Sequence, residues 1–297
     1  MLSPNMSGWR AEARLTRRLH MGDRFKELLA LRFGCEEAVF ASVSPPAADI
    51  LALMAGHRVH RGFDGRPVPD DLVRTLVASA LSAPSKSDLQ QRDIVIVDSA
   101  IQHKIADRVP KSPWVREAPR CVVFCANGRR LSSLFKRRKR LFPNDHFDLL
   151  FNCIGDAALA LAWFIVAAEA VGLAGCPLSE IRNFPEEVSE WLGLPDKVIP
   201  FAAYCFGWAK DDAPLSPRLP LEVTVHAGRF DDAKAMSSID DYDRRRRTLQ
   251  PLSEQRDVDR WGVSPVYGWS EDKARQYAVE QRATFGTFVR NKGFSTK

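Results

Sequence analysis

Apolar positions recur along this chain with two different periods. RFKELLALRFG (24–34) and AADILALMAG (47–56) place them at helical spacing, and SVSPP (42–46) reads as a linker between the two. PVPDD (67–71) opens a further helix, LVRTLVASALS, with Pro and two acids at the positive end of the helix dipole. APSKSD (83–88) then predicts a small polar loop. DIVIVD (93–98), RCVVFCA (120–126) and VIPFAAYCFGW (198–208) predict strands from their length and β-branching, and LEVTVH (221–226) predicts one more. AALALAWFIVAAEAVGLAG (157–175) is apolar on nearly all sides, which predicts a helix buried in a core or between two subunits, capped by Gly172. Glu169 interrupts it and Asp156 precedes it, so the uninterrupted apolar run is shorter than the ~20 residues a membrane span needs. A polar stretch, YDRRRRTLQPLSEQRDVDRW (242–261), precedes a final amphipathic helix within SEDKARQYAVEQRATFGTFVRNKGF (270–294). Strands and helices do not alternate regularly, so a doubly wound sheet is not expected.

Composition narrows the class only slightly. The chain has 297 residues, 45% hydrophobic and 27% charged, enough to bury a large core. Its net charge of +6 comes from 43 basic against 37 acidic residues. That excess favours anionic partners such as phosphates or nucleotides without requiring nucleic acid. KRRKR (136–140) lacks the interleaved aromatics of a single-strand platform and reads as a solvated face. None of the six cysteines forms CxxC. Cys121 and Cys125 share one face of a strand by their even spacing, and the set reads as reduced core thiols of a cytoplasmic protein, with no metal site. MLSPNMSGWRAEARLTRRLH lacks the apolar core of a secretory signal; its Arg-rich character is a trait of transit peptides as well.

GxxxxGK[ST], GxGxxG, HExxH and GxSxG are absent, which removes the P-loop, Rossmann, zincin and serine-hydrolase signals. No nucleophile–base pairing is legible either. Enzyme chemistry on this chain therefore belongs to a bound cofactor. HRVHRGF (57–63) concentrates His57, Arg58, His60 and Arg61 beside an apolar helix. Three roles suit it: a solvated turn, a nucleic-acid contact, or a pocket for an anionic cofactor. Guanidinium forks bind phosphate bidentately and stay charged, so two Arg three positions apart, joined by a third from distant sequence, would form a clamp.

The ordered set of short segments resembles the flavin-dependent nitroreductase family. HRVHRGF is similar to its "HRSIRxF" opening, and PVPDDLVRTLVASALSAPSKSDLQ to the helix and Ser-rich loop ending in Gln that follow. VAAEAVGLAGCPLSEIRN resembles the central helix and its loop; LGLP (192–195) and FGW (206–208) continue the order. SPRLPLEVTVH (216–226) is similar to the "KPRLP…VH" segment of the oxygen-insensitive NADPH nitroreductase and flavin reductase branch, as is the tail through NKGF. The likeness spans about residues 50–297.

The resemblance implies an α+β fold, a mixed and mostly antiparallel sheet wrapped by helices, in a homodimer with flavin at the subunit interface. Residues 1–45 have no counterpart in that pattern; they are expected to form an N-terminal helical extension packed on the partner subunit. Residues 46–297 would form one FMN-binding domain with a C-terminal excursion from about residue 230. FMN would be held by His57, Arg58, Val59 and Arg61, by Ser85 and Ser87, by Ser112, by Pro177, Leu178, Ser179 and Glu180 largely through backbone, and by Ser216 and Arg218, the last closing on the phosphate. Arg182, with Arg256 and Arg260, would meet NADPH or NADH, and RRRR (244–247) would be an alternative partner for the 2′-phosphate or a solvated helix face. No side chain need be a nucleophile: hydride passes from the nicotinamide to the flavin, and then to a small-molecule acceptor in ping-pong fashion.

Three positions depart from the branch. Val59 stands where Ser is usual, Ser216 where Lys is common, and Ser179–Glu180 replaces Gly-Gly. The last change motivates an alternative acceptor, an ene or halogenated ring rather than a nitro group or quinone. A non-catalytic flavin binder is another alternative. A basic, cofactor-free nucleic-acid-binding or scaffold protein is the alternative from another class; neither nucleic acid nor a membrane is the expected partner.

Overall fold

A computed structural model of the chain describes residues 24–297. The first half of the expected N-terminal extension, residues 1–23, lies outside the described residues. In chain order the principal elements are α1 (Arg24–Phe33), α2 (Pro45–Ala55), α3 (Asp70–Leu81), β1 (Arg92–Val97), α4 (Ser99–Arg108), β2 (Arg120–Asn127), α5 (Arg129–Arg137), α6 (Phe147–Ala170), β3 (Leu173–Leu178), α7 (Pro185–Trp191), β4 (Val198–Trp208), α8 (Ala235–Leu249), α9 (Trp269–Tyr277) and α10 (Phe285–Asn291). They fall into two compact units: residues 24–58 with 214–279, and 59–213 with 280–297.

The second unit holds the sheet, in the order β1-β2-β4-β3. Each neighbouring pair is antiparallel. β2 and β3 run the same way, but β4 lies between them, so no parallel pair forms among the described residues. β2 is apolar from Cys121 to Ala126 because both its faces are covered. Cys121, Val123 and Cys125 enter one cluster, with Cys176, Cys205 and Val115. Val122 and Phe124 enter the other, where Phe124 meets Phe164 edge-on with ring centroids 5.6 Å apart. The two cysteines thus share a face, as their spacing predicted.

Helix α6 carries the second cluster. It packs on α3 and across β2 and β3. It begins at Phe147, ten residues before the apolar run that the sequence flagged. Asp156 reads as a boundary in sequence but lies inside the helix and is buried, because backbone amides and a buried arginine partner it there. By length and composition α6 is the one helix among the described residues able to cross a membrane. Gly172, at φ +84°, ends this segment and lets the chain reverse into β3. The sequence reading ended the helix at Gly172 and took the following LAGCPL (173–178) as part of a loop. That segment is β3 instead, and Gly175 is what admits it: a Cβ there would collide with the Cys205 carbonyl oxygen.

The first unit is helical. α1 packs on α2, and α8 on α9. LEVTVH does not form the expected strand; Leu221–Thr224 is a single helical turn. β-branching favours a strand only where a neighbour completes the ladder, and the segment pairs with none of the described strands. The single amphipathic helix expected over 270–294 is two helices, α9 and α10, with Arg282 at φ +58° in the break between them.

Candidate functional site

In the second unit, the loop between α3 and β1 is organised by a buried carboxylate. Asp156 accepts the Ser85 hydroxyl at 2.7 Å, the Lys86 amide at 3.1 Å and the Gln91 amide at 2.8 Å. Arg92 lies 3.6 Å away and also donates to the carbonyls of Leu81, Ala83 and Pro84. The Ser85 oxygen in turn accepts the Gln90 amide at 2.7 Å. Ser85 is therefore committed inside the protein. Ser87 is exposed and turned to φ +50°, with Asp88 and Gln90 also left-handed at +57° and +51°. Three non-glycine residues in that conformation mark stored strain of about 1–3 kcal/mol each, the kind that gathers at binding loops. The roles of Asp156 and Arg92 were missed in the sequence; the available signal was an acid at the edge of a long apolar run.

The basic segment runs along the sheet's rim. The His60 amide donates to the Gly175 carbonyl of β3 at 3.0 Å, and Phe63 bridges Ala209. Arg61 stands 6.0 Å from the ring centre of Trp114. It also lies beside the Cys176 thiol, whose pKa burial pushes up while the guanidinium opposes. Glu180 pushes the same thiol up from its other neighbour position, and its carboxylate accepts the Ser112 hydroxyl at 3.3 Å. Arg61, Ser112 and Glu180 are thus brought together around Cys176. Val59 is exposed nearby in sequence. Pro177 is exposed, whereas the Leu178 side chain packs in the core, leaving its backbone as the part a ligand can meet. Ser179 accepts from Arg282 at 3.3 Å, and Arg282 also donates to Asn183 at 2.8 Å, a contact the sequence did not suggest. Arg182 donates to the Phe201 carbonyl and lies over that ring.

In the first unit, Arg32, His57 and Arg218 face one cavity of about 290 Å³, walled by Leu29, Phe33, Leu51 and Met54. Its lining carries cationic side chains and no carboxylate, which suits a phosphate dianion. Arg58 turns back to the Gly56 carbonyl at 2.9 Å. The carbonyl of Ser216 accepts from Arg32 at 3.1 Å. Further along, Arg256 is paired with Asp272 at 2.8 Å, while Arg260 stacks on Trp261 with 4.8 Å to the ring centre. Asp272 is held below the ordinary carboxylate value: burial raises it, but hydrogen bonds from Lys273 and Tyr267 outweigh that. The RRRR run is largely consumed internally. Arg244 pairs with Asp241, Arg245 donates to the carbonyls of Leu31, Arg32 and Arg218, and Arg246 donates to the Tyr242 hydroxyl.

Two family models match the chain. The model of the nitroreductase family matches residues 54–208, and that family's C-terminal domain matches 216–297. The chain is 29% identical over 253 residues to the oxygen-insensitive NADPH nitroreductase of Salmonella typhimurium, covering 83% of this chain and 98% of that one. It is 26% identical to the NADPH-flavin oxidoreductase of Vibrio harveyi, at the same two coverages of 83% and 98%. Among solved structures it is similar to nitroreductase A from Vibrio parahaemolyticus, with a TM-score of 0.73 at 26% identity, covering 84% of this chain and 98% of that one.

Proposed function

From the premise that the chain belongs to the nitroreductase family, we propose that it is an FMN-dependent NAD(P)H oxidoreductase reducing nitroaromatic, quinone or related small acceptors. The observation that carries this reading is the cationic cavity shared by His57 and Arg218, two residues the sequence resemblance names as phosphate ligands. In this reading His57, Arg58 and Arg218 hold the phosphate and ribityl chain, and Arg61 the ring edge. Ser87 offers a hydroxyl that has no partner among the described residues, while Ser85 acts through the shape of its loop. The backbone of 177–180 lies along the ring. When bound, the flavin supplies the two-electron transfer between the nicotinamide and the acceptor.

The chain's own residues bind, orient and tune. Ser112 fixes the Glu180 carboxylate, so a defined negative charge borders the ring edge instead of the backbone that Gly-Gly would present. That contact supports a second reading, in which the acceptor is an ene or halogenated ring. Arg260 is the stronger partner for a 2′-phosphate, because the Arg256 charge is already offset by Asp272. NADPH is accordingly the favoured donor, with NADH second. Phe147, Phe151, Leu159 and Trp163 are exposed along α6 at four- and eight-residue intervals, and a homodimer that covers this stripe is part of the proposal. We place the enzyme in the cytoplasm.

An absorbance spectrum of the purified protein, followed by anaerobic NADPH, tests the reading. Bound-flavin bands that bleach on NADPH are expected. A colourless protein that takes up no added FMN overturns the proposal and leaves a basic binding protein in its place, for which KRRKR would be the candidate surface.

A further inference from the structure

Arg32, on α1 within the N-terminal extension, is 5% exposed. Its guanidinium spans three carbonyls from two distant segments. It donates to Ala55 and His57, at the end of α2, and at 3.1 Å to Ser216, in the strap before Arg218. Its own carbonyl accepts the Arg218 amide at 2.7 Å and the Arg245 guanidinium at 3.0 Å. His57 and Arg218, remote in sequence, are thereby fastened to one residue from either side of it.

We infer that Arg32 is a positioning residue that sets the phosphate end of the flavin site. The inference rests on the reading of His57 and Arg218 as phosphate ligands. The strap that carries Arg218 has no regular structure from Asp211 to Pro220. Irregular backbone without such pins keeps conformational freedom that a ligand must remove on binding. The residue type is specific to the task. A guanidinium offers five N–H donors in a rigid plane, so it can serve three carbonyls at once; an ammonium has the charge but not the fork. Arg32 also lines that cavity, but each of its three guanidinium nitrogens already donates to a carbonyl. It acts by holding the main chain at His57 and at Ser216, two residues before Arg218.

The test compares FMN with riboflavin, which lacks the phosphate. Dissociation constants of both are measured on apoprotein by flavin fluorescence for wild type, Arg32→Met, Arg32→Lys, His57→Ala and Arg218→Ala. Both Arg32 variants should weaken FMN binding by about tenfold or more, the effect of losing about 1.4 kcal/mol, with riboflavin binding unchanged. Equal losses for the two flavins, or no loss for either, overturn the inference. If His57→Ala and Arg218→Ala leave the FMN-to-riboflavin ratio at the wild-type value, it is the assignment of the phosphate ligands that fails. If they change the ratio and the Arg32 variants do not, only the role of Arg32 fails. Should Arg32→Met not fold, Arg32→Lys, which retains charge and bulk, decides.

Discussion

The Ser85 hydroxyl donates to Asp156 at 2.7 Å and accepts the Gln90 amide at 2.7 Å, so one side chain closes the loop that a helix carboxylate anchors. Asp156 and Arg92 are 2% and 4% exposed, and each would be an uncompensated charge without the other. Removing one partner of a buried pair costs about 3–5 kcal/mol. Asp156→Ala should therefore lower stability by that amount in urea unfolding. Asp156→Asn, which keeps the shape and some hydrogen bonds, should lose less. An unchanged midpoint for Asp156→Ala would mean the loop holds itself.

The two serines of that loop should separate cleanly. Ser85→Ala removes a partner from a buried acid and should cost about 1–3 kcal/mol of stability. Ser87→Ala touches nothing internal and should leave the unfolding midpoint in place while weakening FMN binding. Paired urea melts and flavin titrations check this. The opposite pattern would assign the flavin contact to Ser85, as the resemblance alone allows.

The stripe on α6 gives a third expectation. Phe151 is 66% exposed on a helix whose opposite side is core. A charge placed there costs the isolated subunit little and an apolar interface a great deal. Phe151→Glu should elute as a monomer in size-exclusion chromatography at a concentration where the wild type is a dimer. A wild type that is itself monomeric at high concentration removes the dimer from the proposed function.

How much of this was legible beforehand depended on how local the cause was. β1, β2 and β4 are strongly apolar, β-branched runs with the right lengths, and their bounds agree with the sequence to within a residue or so. β3 is not legible, because LAGCPL carries two small residues whose role is to approach β4 closely, a fact about the neighbour. LEVTVH fails in the other sense: its propensity is right for a strand that has no partner. Among the site residues, His57 and Arg218 stood out as cations in a familiar order. Arg32 did not, since a lone arginine on an amphipathic helix resembles any surface cation until its carbonyl partners are seen. Asp156 was visible only as an irregularity.

The thiols give the pH dependence. Cys35 is half-buried; the other five cysteines are buried and unbridged. Burial, with Asp93 nearby, pushes Cys125 up to about 12, and burial, with Asp156 nearby, pushes Cys153 to about 12, against an ordinary value of 9.0. Both stay neutral in the folded protein through pH 8, and neutral thiols do not attack disulfide reagents. An aromatic disulfide reagent at pH 8 should therefore titrate one thiol, Cys35, in the native protein and all six after denaturation. The same shifts fix the sign of the stability change. Between about pH 9 and 12 the unfolded chain releases protons that folded Cys125 and Cys153 retain, so the unfolded state binds fewer protons and stability falls as pH rises. Each such thiol contributes about 1.4 kcal/mol per pH unit within that window and nothing below it. Urea midpoints for wild type and Cys125→Ala, taken at pH 7, 9.5 and 10.5, read this directly. The variant should start less stable at pH 7 and lose stability less steeply above pH 9. Parallel slopes would show that Cys125 ionises alike in the folded and unfolded protein, and the burial assigned to β2 would then be wrong.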